Sequence, residues 1–323
     1  MINRTSQPEQ PDSNKSVSGK PGAVQSFRRH IATSNKLISY AIHRSIVSVR
    51  KMKTLTACPT TRRSRVFQGL AVLGVLLLVL ALEQILGRYI VNLVHQFGSN
   101  TTRPNKAYIA PIYMTVGSAL VVTIVIVALR WLGAGSLRAA IQELGHFVKP
   151  WRGFVVGLCS AAPMYVGFAL TMPLAKNWSL WGIFSLFALA WGSVAEEIVF
   201  RAFGVGTLWE RCHAPLWLAL LLPAMVFGAW HVGEGSGWSS NLALFGLTGT
   251  AGWIWGWMYL RWQRNVWVTA SLHAAMDLTW ALFNVSKNAL GGWFPFALQL
   301  GTIVIAVLAT IKLTSRIANP PYK

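Results

Sequence analysis

From residue 66 onward the chain is a succession of apolar runs, several of them as long as the roughly 20 residues an α-helix needs to cross a bilayer. Polar punctuation divides them into eight candidate spans, near 66–87, 108–132, 153–174, 179–210, 214–232, 241–261, 266–284 and 293–311. The expectation is an all-α, polytopic membrane protein with about eight transmembrane helices. Composition agrees: 54% of residues are hydrophobic and 12% charged, where soluble domains carry roughly 25% charged residues.

The charge is unevenly placed. Residues 1–65 hold 13 Lys and Arg with 2 acids, and the remainder holds 16 with 7. Residues 1–65 are rich in Ser, Thr, Lys and Arg without a sustained apolar period, as expected of a disordered basic cytoplasmic arm. The first 51 residues also fit an organelle transit peptide or a stretch upstream of a start at Met52. The membrane domain is expected over 66–312, with a short basic tail at 313–323. Loop bias, with Arg138, Lys149, Arg152, Arg211 and Arg264 on the arm's side, places both termini in the cytoplasm. A bacterial cell membrane is the expected location. The basic surplus is assigned to this bias and to contact with lipid, not to nucleic acid. Cys58, Cys159 and Cys212 form neither a disulfide framework nor a CxxC pair. Trp151, Trp178, Trp262, Trp267 and Trp293 lie near span ends, the pattern of an interfacial aromatic belt. Gly252 and Gly256 form a GxxxG pair suited to close helix packing.

Six ionisable residues lie inside apolar runs, Glu196, Glu197, Arg201, His231, His273 and Asp277; Glu83 does too, but near a span end. An intramembrane charge costs about 2.5 to 3.5 kcal/mol even on a lenient scale, so together they mark a functional site. Glu197 and Arg201 are spaced i, i+4 and can pair on one helical face. Glu196, turned by about 100°, is left without that partner. At about 1.5 Å per residue, Glu196 lies roughly 21 Å from Glu210 and His231 roughly 24 Å from Pro215, which allows the two to share a level. His273, roughly 10 Å from Val266, is expected to be shallower.

These residues form three motifs in order: EExxxR at 196–201, FxxxH at 227–231 and HxxxD at 273–277. Over about residues 150–284 the chain resembles the CPBP intramembrane protease family, also called the Abi or CAAX-protease family, which includes the type II CAAX prenyl endopeptidases. The resemblance implies hydrolysis of a peptide bond within the membrane, in a membrane-associated protein or peptide such as a prenylated CAAX protein or a peptide precursor. It makes Glu196 the base that activates water, with His231 polarising it, Glu197 and Arg201 a structural pair, and His273 with Asp277 at the oxyanion. No cofactor is implied. The alternative is a zinc protease using His231, His273 and Glu196; a transporter or an immunity protein would account for the same buried charges in other ways. The family's pattern has Gly after the motif Arg and Asn at its third motif, where this chain has Ala202 and Asp277. An ionised Asp277 can only accept hydrogen bonds, so it is expected to orient His273. The oligomeric state is not expressed in the sequence.

Overall fold

The computed structural model describes residues 62–98, 104–144, 150–175, 179–286 and 289–317. Most of the expected arm, Cys58, Lys149, Trp178 and the last six residues lie outside the described residues. Helices occupy all eight expected segments. In chain order they are α1 (Arg62–Gly98), α2 (Pro104–Trp131), a short amphipathic α3 (Leu137–Leu144), α4 (Pro150–Ser160), α5 (Ala162–Thr171), α6 (Leu180–Glu197), a π-helical segment (Ile198–Val205), α7 (Gly206–Glu210), α8 (Leu216–Trp230), α9 (Trp238–Arg261), α10 (Trp267–Leu282) and α11 (Trp293–Ile317). The first helix starts four residues before the expected boundary and the last runs five residues past 312.

Among the described residues five stretches are long and apolar enough to cross a membrane: Ser64–Gly87, Ile109–Trp131, Pro150–Thr171, Leu180–Glu210 and Trp293–Thr314. Leu216–Trp230 is as apolar but shorter. The other two expected spans are helices whose hydropathy is diluted by the polar residues they carry. In α9 these are Ser239, Ser240, Asn241, Thr248 and Thr250; in α10 they are Ser271, His273, Asp277 and Thr279.

Side-chain contacts assign the helix ends to two sides. At one end Arg211 donates to the Leu132 carbonyl at 2.9 Å and pairs with Glu143, Arg264 pairs with Glu210 at 2.6 Å, and Arg261 donates to Thr314 at 2.8 Å. Gly69, near the start of α1, lies beside Leu208 and Cys212 at the same end. Residues 172–175, 231–237, 283–286 and 289–292 lie at the other end, where the Ala175 amide bonds the Leu282 carbonyl at 2.7 Å.

The interior is built by small residues that let helices approach. A Cβ placed on Gly252 of α9 would lie 3.3 Å from the Ala224 Cα of α8, so the GxxxG face packs as expected. The tryptophans divide. Trp151 and Trp293 are exposed at helix ends, as a belt requires, but Trp262 is buried and donates its indole N–H to Thr310 at 3.1 Å. Its position near a span end was not enough to place it at the interface, because the neighbouring α11 covers it.

The π-helical segment lies against α1, α2, α3, α8 and α9. Its wide turns are closed by bonds five residues apart, as from the Gly206 amide to the Arg201 carbonyl. Such turns advance less per residue than α-helical ones and hold Glu196 nearer to the α7 end than a straight α-helix would.

Candidate active site

Glu197, the last α-helical residue before the π segment, is fully buried. Its Oε1 lies 3.1 Å from Arg201 Nη1 and 2.9 Å from His273 Nδ1. The i, i+4 pairing thus persists through the π turn. The Arg201 contact is an ion pair without hydrogen-bond geometry, and none of the guanidinium nitrogens has a hydrogen-bond acceptor. Arg201 is held instead by its counter-charge and by aromatic faces, its Cζ lying 4.2 Å from the Phe227 ring centroid and 5.2 Å from that of Trp255. Phe227 of the second motif therefore supports Arg201 of the first.

The His273 ring is bracketed by carboxylates. Its Nδ1 meets Glu197; its Nε2 lies 3.3 Å from Asp277 Oδ2 and 3.8 Å from Glu196 Oε2. Trp255 covers the ring at a centroid distance of 4.7 Å. The expected depth mismatch is absent: His273 reaches both glutamates. Part of the difference lies in the π segment, whose eight residues the straight-helix arithmetic gave an α-helical rise.

Two of the expected partnerships are more divided than the sequence indicated. His273 was assigned to Asp277 as its orienting acceptor, yet its closer contact is with Glu197. Asp277 shares itself between the imidazole and Ser193, whose hydroxyl donates to Asp277 Oδ2 at 2.7 Å. Ser193 lies one helical turn before Glu196 and Glu197, and that spacing was the available signal. His231 caps the C-terminus of α8, and its Nδ1 lies 2.8 Å from Glu234 Oε1. Glu234 sits in a turn tied down by Asn241, whose side-chain oxygen accepts from the amides of Gly233 at 2.9 Å and Gly235 at 3.0 Å. The three-residue spacing from His231 made Glu234 visible in the sequence, but no apolar run drew attention to it.

A cavity of about 420 Å³ joins Glu196, His231, Glu234, His273 and Asp277. Its inner wall carries Leu189, Leu247, Trp255 and Met276, and it extends toward the turns bearing Glu234, Asn284 and Ser286. Two buried acceptors on this wall, Glu196 Oε2 and His231 Nε2, have no hydrogen-bond partner among the described residues. Among the described residues no three His, Cys, Asp or Glu side chains converge in a metal-holding arrangement. The zinc alternative of His231, His273 and Glu196 would draw on the Nε2 atoms of both histidines and on Glu196 Oε2, which lies 3.8 Å from His273 Nε2.

Residues 176–279, which contain all six site residues, match the family model described as type II CAAX prenyl endopeptidase Rce1-like. The matched stretch is about a third of the chain, and over it the chain is similar to the CPBP/CAAX protease family. No curated protein and no solved structure matches it.

Proposed function

We propose that the protein hydrolyses a peptide bond of a membrane-associated protein or peptide, with a water activated by Glu196 as nucleophile. The observation that carries this reading is the pair of unpartnered buried acceptors, Glu196 Oε2 and His231 Nε2, on the wall of one cavity. With Nδ1–H donating to Glu234, a neutral His231 presents the Nε2 lone pair to that cavity. One water can donate to both acceptors and aim its own lone pair at a carbonyl carbon. As the oxygen attacks, its proton passes to Glu196, and Glu196 then delivers it to the departing nitrogen as the C–N bond breaks. A positioned base of this kind typically contributes about 10² to 10⁴ in rate.

His273 supplies the oxyanion donor. Its Nδ1–H is anchored on Glu197, which fixes the ring, and a protonated Nε2 shared with Asp277 is available to the developing negative charge. Donors of this type contribute about 2.7 to 4 kcal/mol each. Arg201 neutralises Glu197, so the carboxylate nearest His273 Nδ1 is committed to structure and Glu196 alone is left to act as base. The apolar inner wall and the polar residues toward the turns fit an extended peptide entering beside lipid, of which a CAAX-type tail or a peptide precursor are the two forms considered. Both termini are placed on the cytoplasmic face, and no metal takes part. The family match weighs against a transporter or an immunity protein.

The test compares the proteomes of membranes carrying the wild type and Glu196→Gln. An uncleaved precursor should accumulate in the variant, and wild-type cleavage of that precursor should survive exhaustive chelation. Equal proteomes would remove the protease reading; loss of cleavage on chelation, restored by zinc, would replace it with the metal alternative.

A further inference from the structure

Among the described residues Glu196 is the only side chain that lines both the active-site cavity and a second one. The second, of about 180 Å³, lies among α1, α2 and α6 and is walled by Glu83, Tyr113, Ser118, Gly192, Phe200 and Trp230 besides Glu196. It has room for several waters at about 30 Å³ each and presents polar groups to hold them. Tyr113 fixes Glu83 from the neighbouring helix, donating to Glu83 Oε2 at 2.7 Å and lying 3.2 Å from the Glu83 carbonyl. Glu83 is four residues from Gly87, where the first apolar span ends, and Tyr113 is four residues from Ile109, where the second begins. The pair therefore lies close to one bilayer face, whereas Glu196 lies well inside the fourth span.

We propose that Glu83, held by Tyr113, exchanges protons with Glu196 through this second cavity, so that the base can be reset while a peptide occupies the first. The inference rests on Glu196 as the base. A peptide filling the active-site cavity displaces the water through which Glu196 would otherwise exchange. Once the amine has left with the first proton, the new carboxylic acid gives up its remaining O–H proton to Glu196, and no further water can be activated until that proton leaves. The second cavity supplies the exit: one O–H bond breaks on the Glu196 carboxyl, one forms on the Glu83 carboxylate, the intervening waters pass the proton along, and Glu83 returns it to solvent at the nearby face. Tyr113 keeps its proton throughout, and nothing is oxidised or reduced. The charged and titratable groups facing Glu196 are His231, His273, Glu197, Asp277 and Arg201; Tyr113 is the one that meets Glu83.

Glu83→Gln separates this role from that of a clamp between α1 and α2, because the amide oxygen still accepts from Tyr113. The assay uses the purified full chain in proteoliposomes and a fluorogenic peptide carrying the cleavage site of the precursor that accumulates in Glu196→Gln membranes. With the active-site cavity open in the free enzyme, kcat/KM should stay near its wild-type value. Turnover under saturation should fall about tenfold, so that kcat and KM drop together. The acid limb of the kcat profile should move to higher pH, and Glu83→Asp should restore much of the rate. Wild-type kcat and pH profile in Glu83→Gln would overturn the proposal. So would a fall in kcat/KM matched by lost thermal stability, which is the signature of a clamp. Activity in Glu196→Gln would instead remove the base itself, and with it the reading on which the inference stands.

Discussion

Replacing Glu197 by Gln changes few atoms but removes the only counter-charge among the described residues in contact with a guanidinium that is 1% exposed. Breaking a buried ion pair from one side costs about 3 to 5 kcal/mol, because the remaining charge stays desolvated. Arg201 has no hydrogen bond to fall back on, and the faces of Phe227 and Trp255, worth about 2 kcal/mol or more at a desolvated site, are an attraction the wild type already enjoys. The loss should therefore be close to the full range. For a chain of this size each kcal/mol is worth about 2 to 4 °C, so the unfolding midpoint in detergent should fall by about 6 to 20 °C. Gln can still accept from His273 Nδ1, so the variant should retain measurable activity below its midpoint. A companion variant, Glu197→Gln with Arg201→Met, should regain most of the lost stability because no unpaired charge remains. A Glu197→Gln midpoint within 2 °C of wild type, or a double variant no more stable than the single one, would refute the assignment of this pair as an uncompensated buried charge couple.

Asp277→Asn should keep much of the activity, since an amide can accept from Ser193 and offer its own donor beside His273, whereas Asp277→Ala should lose roughly 10² to 10³-fold; equal, zinc-responsive losses in steady-state rates would sink the orienting role. Reporter fusions after Ser315 and within residues 235–240 should report opposite sides of the membrane, the first cytoplasmic; matching locations would break the proposed topology.

The helical segments were legible because hydropathy is a one-dimensional property: a run of apolar residues announces a helix whatever it packs against. Ionisable residues in such runs were legible for the same reason, and this is why Glu196, Glu197, Arg201, His231, His273 and Asp277 stood out before any geometry was known. Partnership was harder. Glu197 binding His273 joins residues 76 positions apart, and no local spacing encodes that contact. Glu234 lies in a polar turn, where an acid is unremarked, and Glu83 was set aside because it sits near a span end. The π segment was invisible since Ile198–Val205 has the apolar composition of any buried helix, and its wider turns changed the depth of Glu196. Trp262 shows the same limit, as a terminal tryptophan meets lipid or protein according to what crosses beside it.

The helix that carries His273 and Asp277 is seated by a helix with no site residue at all. On α4, a Cβ at Gly157 would lie 2.1 Å from Ser271 Oγ and 2.4 Å from the Val268 carbonyl, and the Ser271 hydroxyl donates to the Phe154 carbonyl at 3.0 Å. Only Leu272 separates Ser271 from His273, so one methyl group at Gly157 would push the histidine off its glutamates. A loss-of-function screen on this chain should therefore return hits at a featureless glycine, with every reactive group intact. Such alleles would be inactive by displacement alone, and shortening Ser271 would not rescue them, because the Val268 carbonyl and the Leu272 amide nitrogen lie as much in the way as its hydroxyl.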